Sequence, residues 1–314
     1  MKTFFECIPC FVRQALDSVR LVTDDEVVHE RLLREVLHAT SEMDLRQSPP
    51  VMGQRIHRLI RSLTGQADPY REIKYRHNRL ALELYPKLRA IVRDSDRPLE
   101  TALRLAIAGN VIDLGANAGL DESCVSEVVE GALSAPLNGD VRAFVEAVSG
   151  ARMILYLADN AGEIAFDRLL LEQMPVEKVT VAVRGAPVIN DATMVDAQVA
   201  GVLGLVEVID NGSDAPGTIL EDCSPEFRRR FDQADLIVAK GQGNYETLGE
   251  VAKDIFFVLK VKCPVIARDL GCRLDSLIVW RSPATPDRVV RHERSESNGF
   301  QGALNKERHD ASGR

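Results

Sequence analysis

The chain has 314 residues, 45% of them hydrophobic and 27% charged, a composition typical of a globular protein with a sizeable core and about two domains. The net charge of −8 argues against a nucleic-acid partner, because no excess of lysine and arginine is available to neutralise phosphates. No stretch has the length and apolarity of a membrane span, and the first residues lack the apolar segment of a signal peptide. We therefore expect a cytoplasmic protein that does not contact membranes.

The first half of the chain has helical patterning. Apolar residues recur every three to four positions, and strand-like alternation is nearly absent before Arg152. The predicted helices are Cys10–Leu21, Glu26–Thr40, Val51–Leu63, Tyr70–Arg93, Pro98–Leu114, Glu122–Leu133 and Val141–Val148. Residues 1–150 are therefore predicted to form a helical amino-terminal region.

Short apolar runs replace this pattern after Arg152. The predicted strands are Met153–Ala158, Val179–Val183, Val206–Ile209, Leu236–Ala239, Phe256–Leu259 and Leu277–Val279. Helical patterns separate the first few runs, which predicts an α/β fold with a parallel sheet and crossover helices over residues 151–281. Cys263–Ala267 is predicted as a short strand or a loop. Residues 282–314 are polar and aperiodic, and they are predicted to be a disordered tail.

Polar side chains follow several of these strands. Asp159 and Asn160 follow the first run, Asp191 comes after the second, and Lys240 directly follows the fourth. In open α/β sheets, ligands bind at the edge where the carboxyl ends of the strands meet. Carboxylate and amide oxygens such as those of Asp159 and Asn160 suit a hard divalent cation, for example Mg²⁺ or Mn²⁺.

The segment Asp159–Glu163 has a second interpretation. Asn160 could cap the helix that follows, with Glu163 completing a capping-box-like pair three residues later. The two interpretations are compatible, because the backbone of Asn160 can start the helix while its side chain binds a cation. The role of Glu163 stays undecided between orienting a ligand and capping the helix.

Lys240 and the glycines after it predict a phosphate site. The segment Lys240-Gly-Gln-Gly-Asn244 offers a cation beside flexible backbone N–H groups. The alternative is a lysine that extends from the sheet edge into solvent. The six histidines all lie outside residues 151–281, at His29, His38, His57, His77, His292 and His309, which disfavours a Ser-His-Asp triad or a histidine zinc site in the predicted core. Metal-assisted phosphoryl chemistry fits better.

Three features of the amino-terminal region also bear on function. Asn110 and Asp113 lie three residues apart in an otherwise apolar helix, so we expect them to join the site. Lys74 and Asn78 share one helix face, which an ordinary solvated surface explains adequately. The motif Cys7-Ile-Pro-Cys10 allows structural packing, metal binding or redox chemistry, and those alternatives stay open.

Taken together, these motifs resemble the damage-control phosphatase family, also described as acidic-residue-methyltransferase-like, in its prokaryotic CxxC-containing branch. The resemblance covers about Met1 to Trp280. Its motifs are Glu6-Cys7-x-x-Cys10, Asp68-Pro69-Tyr70, Gly109-Asn110-x-Ile112-Asp113, Asp159-Asn160-Ala161-Gly162-Glu163, Asn190-Asp191, Lys240-Gly-x-Gly-Asn244-Tyr245-Glu246 and Leu259-Lys260-x-Lys262-Cys263.

The resemblance implies a Rossmann-like three-layer α/β/α core with a mostly parallel sheet, preceded by a helical region that caps the active site. It also implies a phosphatase supported by Mn²⁺, Co²⁺, Ni²⁺ or Mg²⁺ that acts on small phosphorylated metabolites. Carried over to this chain, the metal ligands are Asp159, Asn160 and Asp191, with Asp196 as the less favoured choice for the last. The phosphate-contacting lysine is Lys240.

The predicted function is therefore that of a metal-dependent phosphoric monoester hydrolase. Asp159 and Lys240 are the expected catalytic residues, and whether Asp159 attacks phosphorus or only binds metal is left open. The expected substrate-binding residues are Asn110, Asp113, Gly241 and Asn244. One alternative is an S-adenosylmethionine-dependent carboxyl methyltransferase, although Asp-Asn-Ala-Gly-Glu stands where its glycine-rich cofactor loop is expected. Another is a non-catalytic phosphometabolite-binding protein.

Overall fold

The structure is a computed structural model that describes residues 1–109 and 129–282. Its amino-terminal part is helical, as predicted. The helices are α1 (Cys7–Arg20), α2 (Glu26–Ser41), α3 (Pro49–Thr64), α4 (Arg71–Arg93) and α5 (Pro98–Ala108). The rest of the predicted Pro98–Leu114 helix beyond residue 109, and most of Glu122–Leu133, lie outside the described residues.

The second part of the chain alternates strands and helices. In chain order these are β1 (Leu137–Gly139), α6 (Val141–Gly150), β2 (Ile154–Leu157), α7 (Glu163–Leu171), β3 (Val179–Val183), α8 (Met194–Val199), β4 (Glu207–Asp210), α9 (Pro225–Gln233), β5 (Leu236–Lys240), α10 (Gly241–Leu248), β6 (Ile255–Lys260), α11 (Pro264–Leu270) and β7 (Leu277–Arg281). Short 3₁₀ turns at Val176–Lys178 and Val202–Gly204 lead into β3 and β4.

Local sequence explains where several helices begin and end. Asp25 accepts a hydrogen bond from the Val27 N–H at the start of α2, and Ser224 accepts one from the Phe227 N–H at the start of α9. Gly65 ends α3 in the left-handed conformation that glycine adopts without strain. Such caps fix the helix boundaries, while burial of the apolar faces supplies most of the stability.

Seven strands form one sheet within the described residues, in the order β1-β7-β6-β5-β2-β3-β4. Every neighbouring pair is parallel except β6 and β7, which confirms the predicted mostly parallel sheet. From β2 the chain builds outward through β3 and β4, and it then returns to place β5 on the other side of β2. The order thus reverses between β2 and β5, and such a switch point leaves a crevice at the carboxyl ends of the strands.

Helices cover both faces of this sheet. Along β2, Ile154 and Tyr156 belong to a core shared with α5 and α7, whereas Leu155 and Leu157 belong to a second core shared with α9 and α10. This alternation confirms the three-layer α/β/α arrangement, because successive side chains of a strand point to opposite faces. A third apolar cluster lies among α1, α2 and α3.

The structure corrects two sequence predictions. Leu137–Gly139 is a strand inside the region predicted to be helical, and it pairs with β7 at the edge of the sheet. Three residues are too few to show an alternating pattern, and the pairing partner lies far along the chain. Pro264–Leu270 is a helix where a strand or loop was predicted for Cys263–Ala267, since Pro264 starts it and Gly271 ends it.

The packing of α5 against α7 joins the helical region to the sheet, so the domain boundary at residue 150 stays a prediction. The predicted tail lies outside the described residues after Ser282. Across the two described ranges, each helix is too short or too polar to cross a membrane.

Candidate active site

Two loops at the switch point are tied together by their backbones. Asn160, after β2, and Asp191, after β3, form an isolated antiparallel bridge. The Ala161 N–H donates to the Asn190 carbonyl at 2.9 Å, and the Ala192 N–H donates to the Asp159 carbonyl at 2.8 Å. The structure therefore brings together Asp159, Asn160 and Asp191, the three residues predicted to bind metal.

The Asn160 side chain is oriented by two carboxylates. Its Nδ2 lies 2.9 Å from Asp159 Oδ2 and 2.9 Å from Glu163 Oε2. Carboxylates only accept hydrogen bonds, so the nitrogen must face them. The amide oxygen Oδ1 is then the Asn160 atom best able to bind a cation.

The capping interpretation of this segment is correct only in part. Gly162, with φ of 76°, precedes α7, and the Asn160 side chain makes no cap. The Asn160 backbone carbonyl does accept from the Ile164 N–H at 3.1 Å, so the backbone helps to start the helix. Glu163 orients the Asn160 amide and does not close a capping box.

Acidic groups dominate the electrostatics at these loops. Burial raises the pKa of the Asp159 carboxyl well above its usual range, and Glu163 and Asp191 raise it further. Arg184 and Lys262 act on the same pKa in the opposite direction. A site that disfavours its own negative charge in this way would be stabilised by a bound cation.

Arg184 supports both aspartates, although the sequence reasoning gave it no role. Its Nε donates to Asp191 Oδ2 at 2.6 Å, and its Nη2 lies 3.9 Å from Asp159 Oδ1. The side chain is buried, and Nη2 has no hydrogen-bond partner. Its position directly after β3, where the other site residues also follow strands, was the available signal.

The contacts of Lys240 differ from those expected of a lysine that binds phosphate. The side chain is fully buried, and Nζ donates to Glu163 Oε1 at 2.6 Å, Asp167 Oδ1 at 2.5 Å and the Ala106 carbonyl at 2.9 Å. All three ammonium hydrogens therefore have acceptors on α5 and α7. Lys240 is linked to the loop after β2 only indirectly, because it contacts Glu163, which in turn accepts from the Asn160 amide.

Asn244 and Gly241 are also placed differently from the prediction. Asn244 is fully buried, where its Nδ2 donates to the Lys240 carbonyl at 2.8 Å and its Oδ1 accepts from Thr218. Gly241 begins α10 with φ of 74°, so the predicted flexible loop is the first turn of a helix. A Cβ on Gly241 would overlap the Asp159 carboxyl, and the glycine thus makes room for this aspartate.

The loops that carry Asp159, Asn160 and Asp191 open into a cleft of about 450 Å³ between the sheet edge and the first helices. Asp159, Asn160 and Asp191 lie on its wall, and Lys262 faces the same space. Lys262 follows β6, and its backbone N–H donates to Gln242 Oε1 at 2.7 Å. The sequence reasoning included Lys262 in a motif without a role, although it follows a strand as the other site residues do. The cleft is also lined by Glu6, Cys7, Cys10, Gly243, Glu246 and Cys263.

Helix α4 supports the loop from behind. Asn78 Oδ1 accepts from the Gly162 N–H at 2.7 Å, and its Nδ2 donates to Asp196 Oδ1 at 2.8 Å. Lys74 lies 3.6 Å from Asp196 in the same buried network. Asp196, the less favoured of the predicted metal ligands, also accepts from the Thr193 N–H in the capping box at the start of α8. Lys74 and Asn78 are buried, in contrast to the solvated face that explained them from sequence.

The sequence of this chain matches a known protein family over most of its length. The family model described as the damage-control phosphatase ARMT1-like domain matches residues 3–278. The chain belongs to the damage-control phosphatase ARMT1-like family. This confirms the resemblance seen in the sequence.

Other members of the damage-control phosphatase family match most of the chain. A protein named damage-control phosphatase from Archaeoglobus fulgidus is 36% identical over 87% of this chain and 96% of its own length. Another, from Pyrococcus horikoshii, is 35% identical over 90% of this chain and 99% of its own. The crystal structure of a DUF89 family protein from P. horikoshii has a TM-score of 0.82 at 35% identity, and it covers 90% of this chain and 100% of that one.

The donor set of this damage-control phosphatase family member fits a hard cation. Asp159, Asn160 and Asp191 supply two carboxylates and one amide oxygen on the two bridged loops. Oxygen donors of this kind suit Mg²⁺ or Mn²⁺. In the described ranges, no three His, Cys, Asp or Glu side chains are arranged to hold a metal by themselves. Asn110 and Asp113, the two other predicted site residues, lie outside the described residues.

Proposed function

We propose that this chain is a metal-dependent phosphoric monoester hydrolase acting on small phosphorylated metabolites, such as sugar phosphates or related damaged metabolites. The main support is that Asp159 and Asp191 lie on two loops joined by the Asn160–Asp191 backbone bridge, beside a cleft that Lys262 also faces. The phosphatase names of the two relatives support the same reaction class.

In this proposal Asp159, Asn160 Oδ1 and Asp191 hold the cation, which is Mn²⁺, Co²⁺, Ni²⁺ or Mg²⁺. When bound there, a divalent cation neutralises phosphate oxygens and favours attack at phosphorus. Arg184 fixes Asp191 through its 2.6 Å hydrogen bond, and Glu163 fixes the Asn160 amide. The ligands are thus held in place before substrate arrives, which reduces the cost of organising the site.

Lys262 and the start of α10 bind the phosphate in this proposal. Gln242 and Gly243 belong to the first turn of α10 and line the cleft, where helix N–H groups favour an anion. The hydrogen bond from the Lys262 N–H to Gln242 Oε1 holds the two segments together. The ammonium group and the N–H groups then act on the same substrate oxygens.

Lys240 acts as a positioning residue rather than as a phosphate ligand. Burial by itself would lower the pKa of Lys240, but the Asp167 and Glu163 carboxylates outweigh that effect and raise it. The ammonium group therefore stays charged near neutral pH and fixes Glu163. Glu163 in turn orients the Asn160 amide.

The test is hydrolysis of p-nitrophenyl phosphate by protein freed of metal with a chelator and then supplied with each cation. We expect activity only with added metal, and a loss of about a thousandfold in Asp159→Asn and Asp191→Asn. Asp210→Asn is the matched control, because Asp210 ends the neighbouring strand β4 but is exposed and does not line the cleft. Robust hydrolysis without metal, or unaffected Asp159 and Asp191 variants, would contradict the proposal.

Calorimetry separates the two alternatives. Tight binding of sugar phosphates without turnover would favour a phosphometabolite-binding protein, and binding of S-adenosylmethionine would favour a methyltransferase. A panel of phosphorylated metabolites assayed with the active metal then identifies the substrate class.

A further inference from the structure

Three cysteines face the same cleft as the proposed metal ligands. Cys7 and Cys10 come from the start of α1, whereas Cys263 directly precedes α11, far along the chain. All three are free thiols, and we refer to them as the thiol cluster. The proposed hydrolysis uses none of them.

The thiols of the cluster differ in exposure. Cys10 is exposed, while Cys7 and Cys263 are half-buried. Burial raises the pKa of the Cys7 thiol, a backbone hydrogen bond from Phe4 lowers it, and Glu246, Cys263 and Cys10 raise it further. Cys7 is therefore close enough to both other sulfurs to sense their charge, and Cys10 is the thiol that solutes reach first.

The helix itself sets the spacing of the first two cysteines. Cys7 is the first residue of α1 and Cys10 the fourth, one helical turn later. In a regular α-helix such residues have Cα atoms about 5 Å apart. That separation falls inside the range of protein disulfides, so a bond between them needs no large movement of the backbone.

A structural metal is a poorer explanation of the cluster. In residues 1–109 and 129–282, no group of three cysteine, histidine or acidic side chains is arranged as a metal cage. A closed zinc site needs four ligands in tetrahedral geometry. The two neighbouring thiols on one helical turn meet the simpler requirement of a disulfide.

We propose that Cys7 and Cys10 form a dithiol–disulfide site on the wall of the cleft, which low-molecular-weight disulfides oxidise and thiols reduce. Its effect on hydrolysis rests on the proposed phosphatase function, whereas formation of the bond does not. Oxidation replaces two thiols on the cleft wall with a bridged pair, and it thereby changes the surface that a substrate meets.

The chemistry proceeds in two exchange steps. The Cys10 thiolate attacks one sulfur of the small disulfide, forms a mixed disulfide and releases one small thiol. The Cys7 thiolate then attacks the Cys10 sulfur, closes the Cys7–Cys10 bond and releases the second thiol. The two cysteines lose two protons and two electrons in total, and the small disulfide gains them and is reduced to two thiols.

Peptide mapping after treatment with oxidised glutathione tests the bond directly. Trypsin cleaves after Lys2 and Arg13, so Cys7 and Cys10 lie in one peptide, whereas cleavage after Lys262 and Arg268 isolates Cys263. We expect the 3–13 peptide to lose two hydrogens and to resist alkylation until a reductant is added. Cys7→Ser and Cys10→Ser should abolish this change. Cys272→Ser should retain it, because Cys272 is half-buried but does not line the cleft.

Activity provides the second measurement. We expect oxidation to lower kcat/KM for p-nitrophenyl phosphate at least fivefold in the wild type and the Cys272 variant, and dithiothreitol to restore it. Cys10→Ser cannot form the Cys7–Cys10 bond. It should therefore keep its reduced-state activity after the same oxidation, with excess glutathione removed so that Cys7 carries no adduct. Unchanged hydrolysis by fully oxidised protein would overturn the regulatory effect.

Three mapping results would overturn the site itself. These are a stable glutathione adduct on Cys10 without bridging, a bond that joins the 3–13 peptide to the Cys263 peptide, and stoichiometric zinc that protects both thiols of the purified protein. A reduced protein without any phosphatase activity would instead contradict the proposed function, and the mapping would still decide the thiol chemistry.

Discussion

Lys240 Nζ lies 2.6 Å from Glu163 Oε1, and both side chains are almost completely shielded from solvent. Asp167 contacts the same ammonium at 2.5 Å. Two acids and one base therefore share a buried position directly behind the Asn160 amide. Buried charges of this kind are held by their mutual attraction, and the loss of one partner leaves the others uncompensated.

Lys240→Met should destabilise the fold. Methionine has a side chain of about the same length as lysine, but it leaves Glu163 and Asp167 buried without their cation. We therefore expect a loss of about 3–5 kcal/mol in the free energy of unfolding. Urea unfolding measures this loss. Lys262→Met is the control, and its free energy of unfolding should change by less than about 1 kcal/mol because Lys262 faces the cleft. Equal effects in the two variants would contradict the assignment of different roles.

Lys262→Ala should impair phosphate binding more than folding. Removal of the ammonium from the cleft should lower kcat/KM for p-nitrophenyl phosphate by about tenfold to a hundredfold. Lys260→Ala is a matched control, because Lys260 lies two residues earlier but pairs with the exposed Asp275 and does not line the cleft. Steady-state kinetics at several substrate concentrations separate the effects on KM and kcat. A Lys262 variant that behaves as the Lys260 variant does would argue against the phosphate role.

Gly241→Ala should disturb Asp159. Gly241 and Gly271 both have positive φ, at 74° and 65°, so alanine at either position costs about 1–2 kcal/mol of stability. Only at Gly241 does the added Cβ overlap the Asp159 carboxyl, whereas nothing lies within 4 Å of it at Gly271. We expect weaker Mn²⁺ binding by calorimetry and an activity loss of about a hundredfold in Gly241→Ala alone. Equal activity in the two variants would rule out this steric role.

His57 should make the protein sensitive to acid. Burial lowers the pKa of His57 to about 4, and Arg61 lowers it further, while Asp214 acts in the opposite direction. The folded protein thus binds fewer protons than the unfolded chain between about pH 4 and the ordinary histidine value of about 6.5. The free energy of unfolding therefore keeps its full value above that window. It falls as the pH drops through the window, by about 2 kcal/mol at pH 5.

Urea unfolding of His57→Phe at pH 7 and pH 5 measures this contribution. The variant should lose about 2 kcal/mol less than the wild type between these pH values. The exposed His38 is the control position, and His38→Phe should follow the wild type. An identical pH dependence in His57→Phe and the wild type would show that His57 does not titrate as expected.

The sequence predicted the sheet and the edge at which the polar residues after its strands meet, because both depend on local signals. Apolar runs such as Val179–Val183 identify buried strands, and residues such as Asp159 and Asp191 follow those strands directly. Parallel strands end at a common edge, so polar residues after them had to meet. The fine register of the loops, such as the Asn160–Asp191 bridge, needed the structure.

The role of Lys240 could not be predicted from its neighbours in the chain. Its acceptors lie on α5 and α7, and whether a lysine at a strand end faces solvent or the core depends on those distant segments. The strand Leu137–Gly139 was missed for a similar reason, because its partner β7 lies about 140 residues later. Convergence of Cys7 and Cys263 on one cleft is equally a property of the folded chain.

The backbone bridge between Asn160 and Asp191 has a consequence for how this site can change. Peptide groups, which every residue possesses, hold the two loops together, so the spacing of the proposed ligands does not depend on the side chains that do the binding. An aspartate can therefore become an asparagine, or the reverse, on an unaltered frame. Single substitutions could then retune the charge of the centre, and with it the preferred cation, without a search for a new fold.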